Sequence, residues 1–420
     1  MPSALPPSAS PPSTSPPSLN PFRVLVRHRN FRIFWTGQTL SLIGTWMQQM
    51  AIGWLALELS DSAFLVGLVA SVGSLPILLF SFYGGVLADR HDKLRLVTIA
   101  QSLLLVEATL LWWFTWSGHM TVEWLVALAF FAGCVSAIEI PSRQALIIEL
   151  VGRDELHEAI ALNSSGFNLA RIVGPAVGAV VISSLGLAWC FGLNALSYLT
   201  VLGGLLLIRL PAFRPPTHAT APWEGIRQLF TYMRTTPVVA MLMRMVVVYS
   251  VLGVPYLTLM PVVARDVLHT EAGGYGLLLS CVGLGGLAGA LFLAAAAPRV
   301  RRGRLLLLSA YTHPVLLLAF SLARSEWLAG GILLFAGFTM IVNSALSNGL
   351  LQSIVPNEMR GRLMSAYSFV VVGLSQVLGS FLAGSVARAI GADWAIGIGA
   401  GLMLVYAVTV LARRREIRAL

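Results

Sequence analysis

Twelve apolar blocks, separated by short charged segments, leave this chain few ways to fold. A bilayer core ~30 Å thick is crossed by about 20 mostly apolar residues, and helices are the default because each backbone group must be satisfied within its own segment. The blocks fall at 31–57, 64–88, 95–116, 124–149, 158–183, 186–208, 238–262, 273–296, 304–322, 328–350, 364–387 and 393–412. Only 11% of the 420 residues are charged and 57% are hydrophobic, with a mean hydropathy of +0.80. So few charges cannot cover a soluble domain of this length. The pattern predicts an all-α integral membrane protein of twelve transmembrane helices.

The net charge of +10 is placed by topology rather than by a nucleic-acid partner. Arg23, Arg27, Arg29 and Arg32 fall on one side, with Arg90, Lys93 and Arg95, then Arg214, Arg227 and Arg234. Arg299, Arg301, Arg302, Arg304, Arg360, Arg362 and Arg413 to Arg415 join them, against little more than Arg265, Arg324 and Arg388 opposite. The positive-inside rule puts the arginine-rich side, and with it both termini, in the cytoplasm of a bacterial inner membrane. Cys134, Cys190 and Cys281 each lie in an apolar block, so neither a disulfide framework nor a thiolate metal site is expected.

The organisation follows from composition. Residues 1–22 are rich in Pro and Ser and are expected to form a disordered cytosolic tail. Residues 209–237 carry Pro211, Pro215, Pro216 and Pro222, reading as a cytosolic linker that ends in a short helix near 223–232. It separates six spans in 23–208 from six in 238–412, before a basic tail at 413–420. An internal match supports two repeats: at an offset of 209, Arg90, Lys93 and Arg95 fall on Arg299, Arg302 and Arg304. A second match aligns Val151-Gly152-Arg153-Asp154-Glu155 with Val355-Pro356-Asn357-Glu358.

Two motifs concern helix movement. Gly85-Val86-Leu87-Ala88-Asp89-Arg90-His91-Asp92-Lys93-Leu94-Arg95 joins spans two and three. Gly85 there allows close helix approach, and Asp89 can meet the positive N-terminus of a neighbouring helix. In span five, Asn168 and Arg171 precede Gly174-Pro175-Ala176-Val177-Gly178, where a proline that lacks a backbone donor can bend a closely packed helix. Together with Pro141-Ser142-Arg143-Gln144 and Pro356-Asn357-Glu358-Met359-Arg360-Gly361-Arg362, these resemble the major facilitator superfamily, in the branch of the enterobactin exporter and related macrolide and multidrug exporters. The resemblance implies two six-helix repeats related by an axis along the membrane normal. It also implies that the Gly85–Arg95 loop latches an outward-facing state; Asp92 stands where the family pattern usually has glycine. Spans one, four, seven and ten would line a central cavity.

Charge at membrane depth needs a reason, since each such group costs at least ~2.5–3.5 kcal/mol on the insertion scale. Glu107, Glu139, Arg143 and Arg171 fall within spans. Glu139 and Arg143 share a helix face at four-residue spacing. They read either as a proton-responsive lock or as a structural ion pair, and Arg171 could pair with a span-four carboxylate. Gln48 and Gln49 in the first half, with Tyr249, Tyr256, Asn343 and Ser347 in the second, are the candidate cavity residues implied by the resemblance. No phosphate-binding loop, nucleophile elbow or metal-ligand spacing is visible, so neither cofactor nor enzymatic activity is expected.

The resulting expectation is a monomeric secondary transporter, exporting a small drug-like or siderophore-like molecule against protons by alternating access. Membrane lipid is its other partner. An uptake system, a lysophospholipid flippase and a transport-inactive scaffold or sensor are the alternatives.

Overall fold

The structure, a computed structural model, describes residues 22–152, 154–211, 232–296 and 301–411. Residues 1–21 of the expected Pro/Ser-rich tail, 223–231 of the expected short helix, Pro298 with Arg299, and the basic C-terminal tail lie outside these residues.

Among the described residues twelve long helices follow one another: α1 Arg29–Ser60, α2 Ala63–Arg90, α3 Lys93–Trp116, α4 Val122–Val151, α5 Leu156–Leu185 and α6 Ala188–Leu207. The second set is α7 Pro237–Val267, α8 Ala272–Ala296, α9 Arg302–Leu322, α10 Glu326–Ile354, α11 Met359–Ile390 and α12 Ala392–Val410. Eleven helices among the described residues are long and apolar enough to cross a membrane. The remaining one, α1, is more polar because it spends its polar side chains inside the bundle: Gln38, Ser41 and Gln48 are all buried.

The two halves pair their helices in the same way. The α2–α4, α3–α6 and α1–α5 contacts of the first half reappear as α8–α10, α9–α12 and α7–α11 in the second. The fold is therefore the major facilitator one, as two six-helix repeats. Large apolar side chains such as Leu206, Leu322 and Phe335 point outward, as a lipid-facing surface requires. Trp113, Trp116, Trp124, Trp327 and Trp394 are exposed near the loops opposite the arginine-rich end, the position of an interfacial belt.

The arginine-rich end is tied down by local ion pairs. Arg27 and His28 hold Glu155, the latter at 2.6 Å, and Lys93 meets Glu149 at 2.9 Å. Burial raises the proton affinity of the Glu155 carboxyl, but hydrogen bonds from His28 and Arg27 outweigh it and hold the group below its ordinary value.

The halves approach each other toward the opposite end. Ser380 and Gly384 of α11 pack on Gly67 of α2, and α5 residues Ile172, Pro175 and Ala179 pack on Gly283 and Gly276 of α8. Pro261 of α7 reaches Gly53 of α1. All of these lie past the midpoint of their helices toward the charge-poor loops. Below them, α5 and α8 present exposed residues such as Ser164, Ser165, Ala290 and Ala294. The bundle is closed at one end and parted at the arginine-rich end.

Helices α7 and α11 contain π-helical stretches, Tyr249–Gly253 and Phe369–Gly379. Pro255 has no N–H to give to the Ser250 carbonyl five residues earlier. The Ser375 hydroxyl donates to that carbonyl instead, at 2.8 Å, so the two wide turns are stitched together.

Candidate functional site

The membrane-depth acids sit in two separate networks, both in the first half. Glu139 lies on α4 and Gln101 on α3, and both are buried. The Arg143 Nε donates to Glu139 Oε1 at 2.8 Å, and Gln101 Nε2 donates to the same oxygen at 3.1 Å. Helix α4 continues through Pro141, so the four-residue spacing keeps both charges on one face. This is a desolvated ion pair, with side chains 7% and 11% exposed, reached by one neutral donor from a second helix.

Glu107 is a different kind of acid. It is fully buried on α3, and among the described residues no cation pairs with it. Gln48 of α1 donates to Glu107 Oε2 at 3.0 Å, and Asn194 of α6 donates to Gln48 Oε1 at 2.8 Å. The Ser197 hydroxyl then donates to Asn194 Oδ1 at 3.1 Å. Three helices are thus joined by a chain in which Gln48 uses both ends of its amide.

Residues expected to line a cavity are placed unequally. Gln49 is exposed. Gln48, Tyr249, Tyr256, Asn343 and Ser347 are buried between helices in this state. The Tyr249 hydroxyl donates to the Ala310 carbonyl, and Asn343 Nδ2 donates to Ser309 Oγ at 3.3 Å. Tyr256 packs edge-on to His313 and Phe320. Apart from Gln49, these side chains are turned into helix contacts, which the sequence alone does not specify.

The loop between α2 and α3 differs from expectation in two details. The glycine in close contact is Gly84, not Gly85: a Cβ on Gly84 would lie 2.0 Å from the Ala137 carbonyl oxygen of α4, while one on Gly85 would meet nothing within 4 Å. One residue is about 100° of helix rotation, enough to change which glycine faces the neighbour. Asp92, at a position the family pattern gives to glycine, has φ −61° and caps α3 by accepting from the Arg95 N–H at 2.9 Å. Asp89, Arg90 and Arg95 are exposed, and Asp89 accepts no hydrogen bond among the described residues.

Helix α5 is unbroken through Gly174-Pro175. A Cβ on Gly174 would lie 2.6 Å from Trp46 Cβ and 2.9 Å from the Ile43 carbonyl oxygen, and Gly178 lies against Met47 and Met50. Backbone contact this close needs glycine. Gly174→Val should therefore lower stability by about 1–3 kcal/mol, the usual cost of overpacking, read as a fall in melting temperature in detergent. Gly85→Ala is the matched control and should leave the melting temperature unchanged.

Arg171 departs from the expected pairing with a span-four carboxylate. Its Nη2 lies 2.9 Å from the place a Cβ on Gly286 of α8 would occupy, so the side chain crosses to the other half. Glu139 is already held by Arg143, and the face of α5 that carries Arg171 is turned toward α8.

Sequence reasoning missed the seam at the charge-poor end. Arg265 of α7 pairs with Asp61 in the α1–α2 turn at 2.5 Å and with Asp266 at 2.6 Å. The Arg388 guanidinium of α11 lies over the Phe64 ring of α2, 5.7 Å from its centroid. These contacts join the two halves beside a cleft of about 710 Å³ lined by Asp61, Asp266, His269, Arg324, Arg388 and Asp393. Charges in otherwise charge-poor loops were the available signal. Arg265→Glu places three acids together at this seam, and about 1 kcal/mol of lost pairing shifts a balanced equilibrium roughly fivefold. A spin-label pair at Ser62 and Thr270 should gain a longer-distance population, which the double change Asp61→Arg with Arg265→Glu should remove.

Comparisons with known proteins agree with this fold. Residues 18–419 match the family described as transmembrane secretion effector. The enterobactin exporter EntS of Salmonella typhimurium is 26% identical over 352 residues, covering 81% of each chain. The staphyloferrin A transporter of Staphylococcus aureus is 26% identical over 267 residues, 62% of this chain and 66% of that one. Among solved structures, the nucleoside transporter NupG superposes with a TM-score of 0.67 at 14% identity, covering 91% of this chain and 98% of that one. The D-xylose-proton symporter superposes with a TM-score of 0.65 at 15% identity, covering 90% and 97%. At such identities these structures speak for the fold alone.

Proposed function

The chain belongs to the transmembrane secretion effector family of major facilitator transporters, which are membrane transporters and not enzymes, and from that premise we propose that it is a proton-coupled exporter of a small siderophore-like or drug-like molecule. Residues 23–208 and 238–412 are the two bundles that rock about the central axis, joined by the 209–237 linker. The arginine-rich end, both termini and the terminal segments 1–22 and 413–420 face the cytoplasm of a bacterial inner membrane, and the monomer is the working unit.

The observation that carries this reading is the one-sided closure. Contacts between the halves gather toward the charge-poor end, while α5 and α8 part toward the arginine-rich end. A bundle of two similar halves closed at one end can exchange that closure for one at the other, which is alternating access. The seam of Asp61, Arg265, Arg388 and Phe64 holds the outer end in this state. Asp89, Arg90, Lys93 and Arg95, with the Gly84–Gly85 pair, form the latch for the opposite state, which fits an Asp89 that here makes no hydrogen bond among the described residues. Gly174 and Gly178 keep α5 against α1 while the halves move, and Pro175 lies on the α8 side of the same bend-prone segment.

Proton coupling rests on Glu139 and Glu107. Protonating Glu139 removes the countercharge of Arg143, and the Glu139 carboxylate also joins α4 to α3 through Gln101. Glu107 stands behind α1, where Gln48 carries any change to α6. Gln49 is the cavity residue exposed in this state. Export rather than uptake follows the enterobactin exporter, whose similarity extends over most of both chains.

The test is reconstitution into proteoliposomes. With an imposed pH gradient, acidic on the trans side, the protein should drive enterobactin or a comparable catecholate uphill to that side, and collapsing the gradient with an ionophore should stop it. Substrate movement indifferent to the gradient, or running only with the proton flow, refutes a proton-coupled exporter.

A further inference from the structure

One face of α5 changes character at Arg171. On the arginine-rich side of it, Ser164 and Asn168 follow at helical spacing, with Ser164 exposed and Asn168 donating to the Ser164 carbonyl at 2.9 Å. On the other side, Ile172, Pro175 and Ala179 of the same helix are packed against α8. Arg171 therefore sits where the cleft between the halves ends, at its apex.

Among the described residues the guanidinium there has no partner of opposite charge. It lies across the backbone of α8 at Gly286, and it forms no hydrogen bond or ion pair among the described residues. Of the two acids at membrane depth, Glu139 is held by Arg143 and Gln101, and Glu107 is reached by Gln48 on the side of α1 that faces α3 and α6. Among the described residues of the second half, the group within electrostatic range of Arg171 is the Tyr256 hydroxyl of α7, whose polar contact is the Met340 sulfur at 4.0 Å. A cation in the interior without a counterion is costly, and such residues in membrane proteins mark substrate paths.

We propose that Arg171 is the anion-binding residue for the transported molecule, and that the substrate class is an amphipathic organic anion whose carboxylate, or an equivalent ionised oxygen pair, seats on this guanidinium at the apex of the cleft. This rests on the transporter reading above and names the chemistry of its substrate. The planar fork of arginine accepts two oxygens at once, which suits a carboxylate and gives it a fixed orientation. The apolar body of the ligand would lie along α8, where Leu287 and Ala290 are exposed.

A matched pair of probes isolates the charge. 1-Pyrenebutyrate and its neutral amide share one apolar body and differ in the carboxylate, and binding to purified protein in detergent is read by energy transfer from tryptophan. The wild type should bind the acid about tenfold or more tightly than the amide, as expected for a charge-assisted contact. In Arg171→Gln that ratio should fall to near one, and Arg171→Lys should keep part of it. Melting temperatures are measured beside each titration; should Arg171→Gln fail to fold, the wild-type ratio and the Arg171→Lys variant decide. Equal affinities for acid and amide in the wild type, a preference for the acid unaffected at position 171, or no saturable binding of either probe overturns the proposal. No gradient enters this measurement. Selective acid binding with no proton-driven efflux would sink the exporter reading and leave the anion site standing, and the reverse result would do the opposite.

Discussion

Uphill efflux should disappear in Glu139→Gln while downhill exchange of the same substrate survives. The substitution keeps the shape and an acceptor oxygen, so the Gln101 and Arg143 donors can still be satisfied. It removes the proton site and the countercharge together, fixing α4 in the neutral-acid arrangement. Transport coupled to protons then loses its driving force, but the halves can still rock around bound substrate. Both activities are measured in proteoliposomes, with and without an imposed pH gradient, beside melting temperature in detergent. Equal loss of exchange and uphill efflux, together with a lower melting temperature, would instead make Glu139–Arg143 a structural ion pair.

Gln48→Leu is expected to be the most destabilising single change in the first half. Gln48 supplies the hydrogen-bond donor that reaches Glu107, and its carbonyl accepts from Asn194. Leucine leaves a fully buried carboxyl without a donor and an amide without an acceptor. Leaving such groups unsatisfied costs about 1–3 kcal/mol each, against which the apolar gain from leucine is small. A fall in melting temperature should follow, with recovery in Gln48→Leu combined with Glu107→Leu, because removing both partners is far cheaper than removing one. No recovery in the double variant would mean that the cost lies in packing around α1 and not in the stranded acid.

The large features of this protein are written in local sequence. The block 64–88 became Ala63–Arg90, and 186–208 became Ala188–Leu207, because hydrophobic length alone sets where a helix can cross. The Glu139–Arg143 contact was legible for the same reason: four residues along one helix bring two side chains together whatever surrounds them. The N-cap at Asp92 was missed, since the sequence reading took that residue only as a departure from the family's glycine, although an aspartate directly ahead of a helix is the usual signal for a cap. What was not legible depends on how helices rotate and which ones meet. Gly84 rather than Gly85 touches α4, a difference of one residue that periodicity in a uniformly apolar helix cannot resolve. Gln48 looked like a cavity residue because its helix lines the cavity in the family, yet it faces the opposite way, toward α3 and α6. Asp61 and Arg265 are 204 positions apart in the chain, and only the packed halves bring them together.

The stretch of α5 packed on α8 from Ile172 to Ala179 is seven residues of rise, about 10 Å of helix. It is lined chiefly by Ile, Pro, Ala and Gly, and its one buried hydroxyl among the described α8 residues from Gly276 to Gly283, that of Ser280, is turned onto the Gly276 carbonyl of its own helix. A layer of that thickness and composition is a dielectric barrier. The transmembrane voltage therefore falls mainly across it, and a charge resting at the apex of the cleft stands near the cytoplasmic potential although it lies deep in the bilayer. Loading from that side is then nearly voltage-independent, and the electrical work of transport is concentrated in the step that moves the barrier past the charge.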